Sequence, residues 1–212
     1  MGKMLETWGR RLRSRMGGGE PAAPGPRLVL LLLVASAGAL AASGGPRYLR
    51  TVASYRPPAV TLIDASGSPV AFAATLDEDG PVALQFIFTT CPAVCPVLTG
   101  TLAAAENALG TDGERLRVLA VSIDPEHDRP RRLADYARRF GIAPDGRRWR
   151  FLTGDRADVE AVLKAFDAAS ANKMEHRPLT LLRAAPGKPW VRLEGFPSAA
   201  ELAKKLRRLL AP

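Results

Sequence analysis

The sequence predicts an α/β fold with parallel strands at the centre of its sheet and an antiparallel edge. Three observations carry that prediction. Two continuous apolar runs, "PVALQFIF" from Pro81 to Phe88 and "LRVLAVSID" from Leu116 to Asp124, read as strands covered on both faces. Between and after them, apolar residues recur at helical spacing. Strand and helix then alternate to the C-terminus, the pattern of a sheet layered with helices.

Each element has its own local reason. "AVTLIDASGSPVAF" is two apolar runs around Ser66-Gly67-Ser68, which reads as a β-hairpin. After the first buried strand, Leu98, Leu102, Ala105 and Leu109 fall on one helical face, and Gly110 stops the helix. Pro130 opens a second helix with Leu133, Tyr136, Ala137 and Phe140 on one face, ended by Gly141. "WRFLTGD" is a short strand, and the helix after it carries Val159, Val162, Leu163 and Phe166. "LTLLRAAPGKPWVRLEGF" is two strands around a Pro-Gly turn. Ser198 and Glu201 form a capping box for a last helix, with Leu202, Leu206 and Leu209 facing inward.

These elements occupy residues 59–212, a length typical of one domain. Residues 1–27 form a basic N-terminus with six Lys/Arg against two acidic residues. Residues 28–45, "LVLLLLVASAGALAASGG", carry no charge and are long enough for one transmembrane helix. Ala39-Leu40-Ala41 also offers a small-x-small cleavage site, so a removed signal is the alternative; the length of the run favours a retained anchor. The basic flank keeps the N-terminus in the cytoplasm and sends the rest to the periplasm or cell exterior. Residues 46–58 read as a linker. The chain has a net charge of +9 and a pI near 10.2, yet its basic residues are scattered and no nucleic-acid motif is present. An Arg-rich solvated surface explains that charge, and nucleic acid is excluded as the expected partner.

"FIFTTCPAVCPVLTG" contains the only two cysteines, Cys91 and Cys95, where the first buried strand runs into a helix. Cysteines four apart share one helical face. Near a helix start, unpaired amides and the positive dipole end favour thiolate. A structural disulfide closing so small a loop gains little. Two readings remain: a pair that cycles with a disulfide, or two arms of a soft-metal site such as copper(I). A metal invites a third ligand. His127 lies in the charged turn "DPEHDRP" and reads as solvated, while His176, in "NKMEHRPLT", precedes an apolar strand that can return beside the cysteines. Met174 is soft enough for copper, but methionine more often packs. A thiol peroxidase with one reactive cysteine fits the paired cysteines poorly.

The blocks "FTTCPAVCP", "VSIDPEHDRPRRLADYARRFG" and "HRPLTLLRAAPGKPWVRLEGF", in this order and spacing, resemble the Sco/SenC family over nearly all of residues 60–212. The resemblance implies a thioredoxin-like fold behind one N-terminal membrane helix. It implies copper held by Cys91, Cys95 and His176, and delivery to the binuclear copper site of cytochrome c oxidase. The partner would be the copper-binding subunit of that oxidase or another copper protein. Reduction of client cysteines, with Cys91 and Cys95 as a redox-active disulfide pair, is the alternative activity and would make the protein an enzyme. Asp124 matches the acidic residue of the family's S-x-D-P block; a helix-cap or turn role is its plainer reading. Two departures stand out: Ala93 replaces an acidic residue common between the cysteines, and the histidine block reads His-Arg-Pro-Leu-Thr.

Overall fold

A computed structural model describes residues 47–144 and 146–211. The eight strands are β1 (Tyr48–Ala53), β2 (Thr61–Asp64), β3 (Pro69–Ala71), β4 (Val82–Ile87), β5 (Arg117–Ser122), β6 (Trp149–Thr153), β7 (Leu179–Arg183) and β8 (Trp190–Gly195). The helices are α1 (Phe72–Leu76), α2 (Val94–Asn107), α3 (Pro130–Arg138), α4 (Arg156–Ala165) and α5 (Ala199–Leu210), with 3-10 turns at Gly110–Arg115 and Lys173–Glu175. The strands form one sheet in the order β1-β8-β7-β4-β5-β6-β2-β3. β4, β5 and β6 pair in parallel, and all other neighbours are antiparallel. The expected parallel centre is therefore flanked by antiparallel strands on both sides.

β4 is central, and all six of its residues are buried. Its side chains alternate between two cores. Val82, Leu84 and Phe86 join Phe72, Val159, Val162 and Phe166 beneath α1 and α4. Ala83 and Ile87 join Leu102, Leu133, Leu202 and Leu206 beneath α2, α3 and α5. Burying one such Phe or Leu is worth about 1.5–3 kcal/mol, so the two faces supply most of the driving force. Gln85 is the polar exception on β4. Its side-chain amide donates to the Leu98 carbonyl at 3.2 Å and to Thr180 Oγ1 at 3.0 Å, tying α2 and β7 to the central strand.

Several elements differ from expectation. The stretch read as a linker contains β1, which pairs with β8 from Tyr48↔Gly195 to Ala53↔Trp190. Its side chains are mostly exposed, so no apolar alternation marks it; backbone pairing at a sheet edge holds it. α1 is a single added turn after the hairpin. In α5 the capping box forms as expected, and the buried stripe runs through Leu202, Ala203, Leu206 and Leu210, with Leu209 only half-buried. Among the described residues no helix is long and apolar enough to cross a membrane. The apolar run 28–45 and the basic residues before it lie outside the described residues.

Candidate metal and thiol site

The site is built at the C-terminal ends of β4 and β5 and in the loop that enters β7. Strand ends next to helix starts are where α/β folds place ligands. β4 delivers Phe88, and the chain turns so that the Cys91 amide donates to the Phe88 carbonyl at 3.1 Å. The helix begins only at Val94. The two cysteines therefore do not share a helical face as expected: Cys91 sits in the turn and Cys95 in the first helical turn. Pro92 explains this, because the residue before a proline is pushed out of the helical region. Pro96 falls within the first turn, where its missing N–H costs nothing.

Cys91 and Cys95 are free thiols and both are buried, Cys95 completely. The Cys91 sulfur accepts the Cys95 backbone amide at 3.3 Å. Burial pushes the Cys91 thiol up, but the Cys95 amide, the Cys95 thiol and the Ala93 and Val94 amides outweigh it, leaving Cys91 below the ordinary thiol range. For Cys95, burial and the hydrogen bond to Cys91 both act upward, and it stays a thiol. The helix start thus activates the first cysteine and not the second.

His176 follows the Lys173–Glu175 turn, and Pro178 leads into β7. Its Nε2 lies 3.4 Å from Cys95 Sγ, joining positions 81 residues apart in sequence. Its ring meets Phe88 edge-on with centroids 6.0 Å apart. Burial lowers its pKa, which keeps the imidazole neutral and fit to donate a lone pair. The three donors run in series: Cys91 against Cys95, and Cys95 against His176. Among the described residues no group of three or more His, Cys, Asp or Glu side chains closes around one metal position. His127 is exposed, as its polar turn implied, and Met174 is 59% exposed, so it does not pack.

Asp124, at the end of β5, accepts from Lys173 at 2.7 Å; Lys173 also stands 5.8 Å over the Phe88 ring. The pair ties the end of β5 to the turn that carries His176. Beside it opens a cavity of about 550 Å³, lined by Asp124, Glu126, Arg156, Lys173 and His176 among others. The sequence reasoning missed Asp128. It is fully buried and accepts the Thr89 amide at 3.0 Å, the Thr89 hydroxyl at 2.5 Å and the Ser122 hydroxyl at 2.6 Å. This carboxylate binds the cysteine loop to β5. No local signal marks it, because its partners Thr89 and Ser122 come from the ends of two strands that only the sheet makes neighbours.

The family model described as SCO1/SenC matches residues 57–211. A SCO1 protein homolog of Bacillus subtilis (strain 168) is 34% identical over 86 residues, which cover 40% of this chain and 44% of that protein. The match thus spans less than half the length of that relative. Among solved structures, BsSco, described as a member of the Sco family of cytochrome c oxidase assembly proteins with a disulfide switch, superposes with a TM-score of 0.62 at 23% identity. That alignment covers 76% of this chain and 97% of BsSco. Bradyrhizobium japonicum ScoI with copper bound superposes with a TM-score of 0.55 at 24% identity, covering 70% and 96% of the two chains. These likenesses share the thioredoxin-like α/β fold, and the matched span runs from ahead of β2 to beyond α5. The chain belongs to the SCO1/SenC family.

Proposed function

We propose that this protein is a membrane-anchored copper carrier. It takes copper(I) as cargo on Cys91, Cys95 and His176 and passes it to the binuclear copper site of cytochrome c oxidase. The observation that carries the reading is the buried contact of Cys95 Sγ with His176 Nε2 at 3.4 Å, beside the activated Cys91. Two sulfurs and one neutral imidazole make a soft donor set suited to copper(I). The donors lie in series, so rotation of the Cys91 side chain toward Cys95 and His176 is the rearrangement that would gather them. A site with only three donors leaves room for a ligand from the receiving protein, and the metal moves by ligand exchange with no change of oxidation state. Residues 28–45 serve as the anchor, with the described domain on the far side of the membrane. Copper-bound ScoI and the oxidase-assembly role of BsSco support the cargo and the client.

The reading is tested by titrating the reduced chain with copper(I) against a competing chelator. His176→Ala and Cys91→Ser should each weaken binding by at least about tenfold, the loss of one soft ligand. Unchanged affinity in both variants would overturn it.

The asymmetry of the two thiols favours a second activity at the same site. The Cys91 thiolate attacks a client disulfide and forms a mixed disulfide, releasing one client thiolate. Cys95 then attacks the Cys91 sulfur, which frees the second client thiol and leaves a Cys91–Cys95 disulfide.

A further inference from the structure

The groove between β1 and α5 holds a cluster of cations that the copper site does not use. Its rim carries Arg50, Lys205 and Arg208; its floor is Leu182, Val191 and Leu209; and its volume is about 480 Å³. None of the three cations makes a salt bridge among the described residues. Lys205 stands 5.2 Å over the Tyr48 ring, which fixes it at the start of β1. A nearby carboxylate, Glu201, is held by the Ser198 hydroxyl and amide in the capping box and also feels Lys205 and Arg47. With Arg47 and Glu201 included, the surface keeps an excess of positive charge. Val52, on the same face of β1 as Arg50, is 55% exposed. An exposed valine beside cations that outnumber the one nearby carboxylate, over an apolar floor, matches the headgroup zone of an anionic bilayer.

Chain length supplies the second argument. The apolar run ends at Gly45, and β1 begins at Tyr48. Three residues span about 11 Å at most, so a membrane-inserted run holds the start of β1 within reach of the headgroups. β1 also lies ahead of residues 57–211, the span shared with the family.

We infer that the β1–α5 groove seats anionic phospholipid headgroups and fixes the domain against the bilayer. The inference rests on the reading of residues 28–45 as an anchor. The sheet gives it a functional consequence. β1 is antiparallel to β8, β8 to β7 and β7 to β4, so the start of β1 shares one end of the sheet with the Cys91–His176 site. Three strand spacings separate them, about 14 Å. The groove floor lies toward the other end, with Leu182 in register with Val191 and Ala83, so docking through it leaves the end that carries the Cys91–His176 site open to a client.

The test uses hydrogen exchange on the full chain in nanodiscs of phosphatidylcholine alone or mixed with phosphatidylglycerol. A lysine or arginine near an anionic surface changes partitioning by about fivefold. Peptides covering 48–53 and 199–210 should exchange at least about tenfold more slowly in the anionic discs. The triple variant Arg50→Gln, Lys205→Gln, Arg208→Gln should lose that slowing, and Arg50→Lys with Arg208→Lys should keep it. The basic residues before position 28 are intact in both variants, so they cannot produce the difference. Equal exchange in the two discs, or slowing that survives the triple variant, overturns the inference. Failure of the anchor is read separately, as failure of the chain to stay with phosphatidylcholine discs. In that event, salt-sensitive protection of the same peptides on phosphatidylglycerol vesicles still decides the headgroup seat.

Discussion

Cys91 and Cys95 are the same side chain in two unlike settings, and the difference comes from where the helix begins. Cys91 precedes it and collects amide donors; Cys95 lies inside it, buried, and must stay protonated. Alkylation at neutral pH should therefore fall first on Cys91, by at least about tenfold over Cys95, because the thiolate is the nucleophile. Its rate should level off below the pH expected of a free thiol. Mass spectrometry of Cys91→Ser and Cys95→Ser chains checks this, and equal labelling of both would remove the basis for the thiol-exchange activity. Much of this site was legible from residue type. Two cysteines at a strand end and a histidine ahead of an apolar strand are unusual enough to mark themselves. Asp128 was not legible, because "DPEHDRP" reads as a solvated turn, and only the sheet brings Thr89 and Ser122 to its carboxylate. Nor was the direction of Cys91, which depends on the backbone turn that Pro92 enforces.

Among the elements, β1 is held by its partner more than by its own residues. Gly195 faces Tyr48 with φ near 116°, and a Cβ there would stand 2.4 Å from the Arg47 carbonyl and 2.8 Å from Tyr48 Cα. Gly195→Ala should peel the start of β1 from β8, with a cost on the order of 1–3 kcal/mol from the left-handed backbone and the clash. Hydrogen exchange should show faster loss of protection over 48–53 than over β4. Unchanged protection there would show that β1 does not need this contact. The buried strands and amphipathic helices were readable because each carries a period of its own in the sequence. β1 was not readable for the opposite reason: an edge strand with exposed side chains leaves no period, and its pairing partner lies at the far end of the chain.

At the scale of the whole domain, one sheet separates two cores, and each contains a buried tryptophan. Trp149 lies in the core under α2, α3 and α5, and Trp190 in the core under α1 and α4. β4 and its neighbours are common to both, so the faces should unfold together. In a Trp8→Phe background, Trp149→Phe and Trp190→Phe chains each leave a reporter on one face. Each fluorescence transition in urea should coincide with the circular dichroism transition of the same chain; a separated pair would show two cooperative units. The pairing of β1 with β8 also bears on the order in which the fold can be completed. The first strand of the domain waits for the last one, so synthesis or export that begins at the N-terminus leaves β1 without a partner until the final stretch arrives. Closure of so distant a pair is slow relative to local hairpins and helices. Until then the open edge of the sheet is the part of the nascent protein most in need of protection from aggregation.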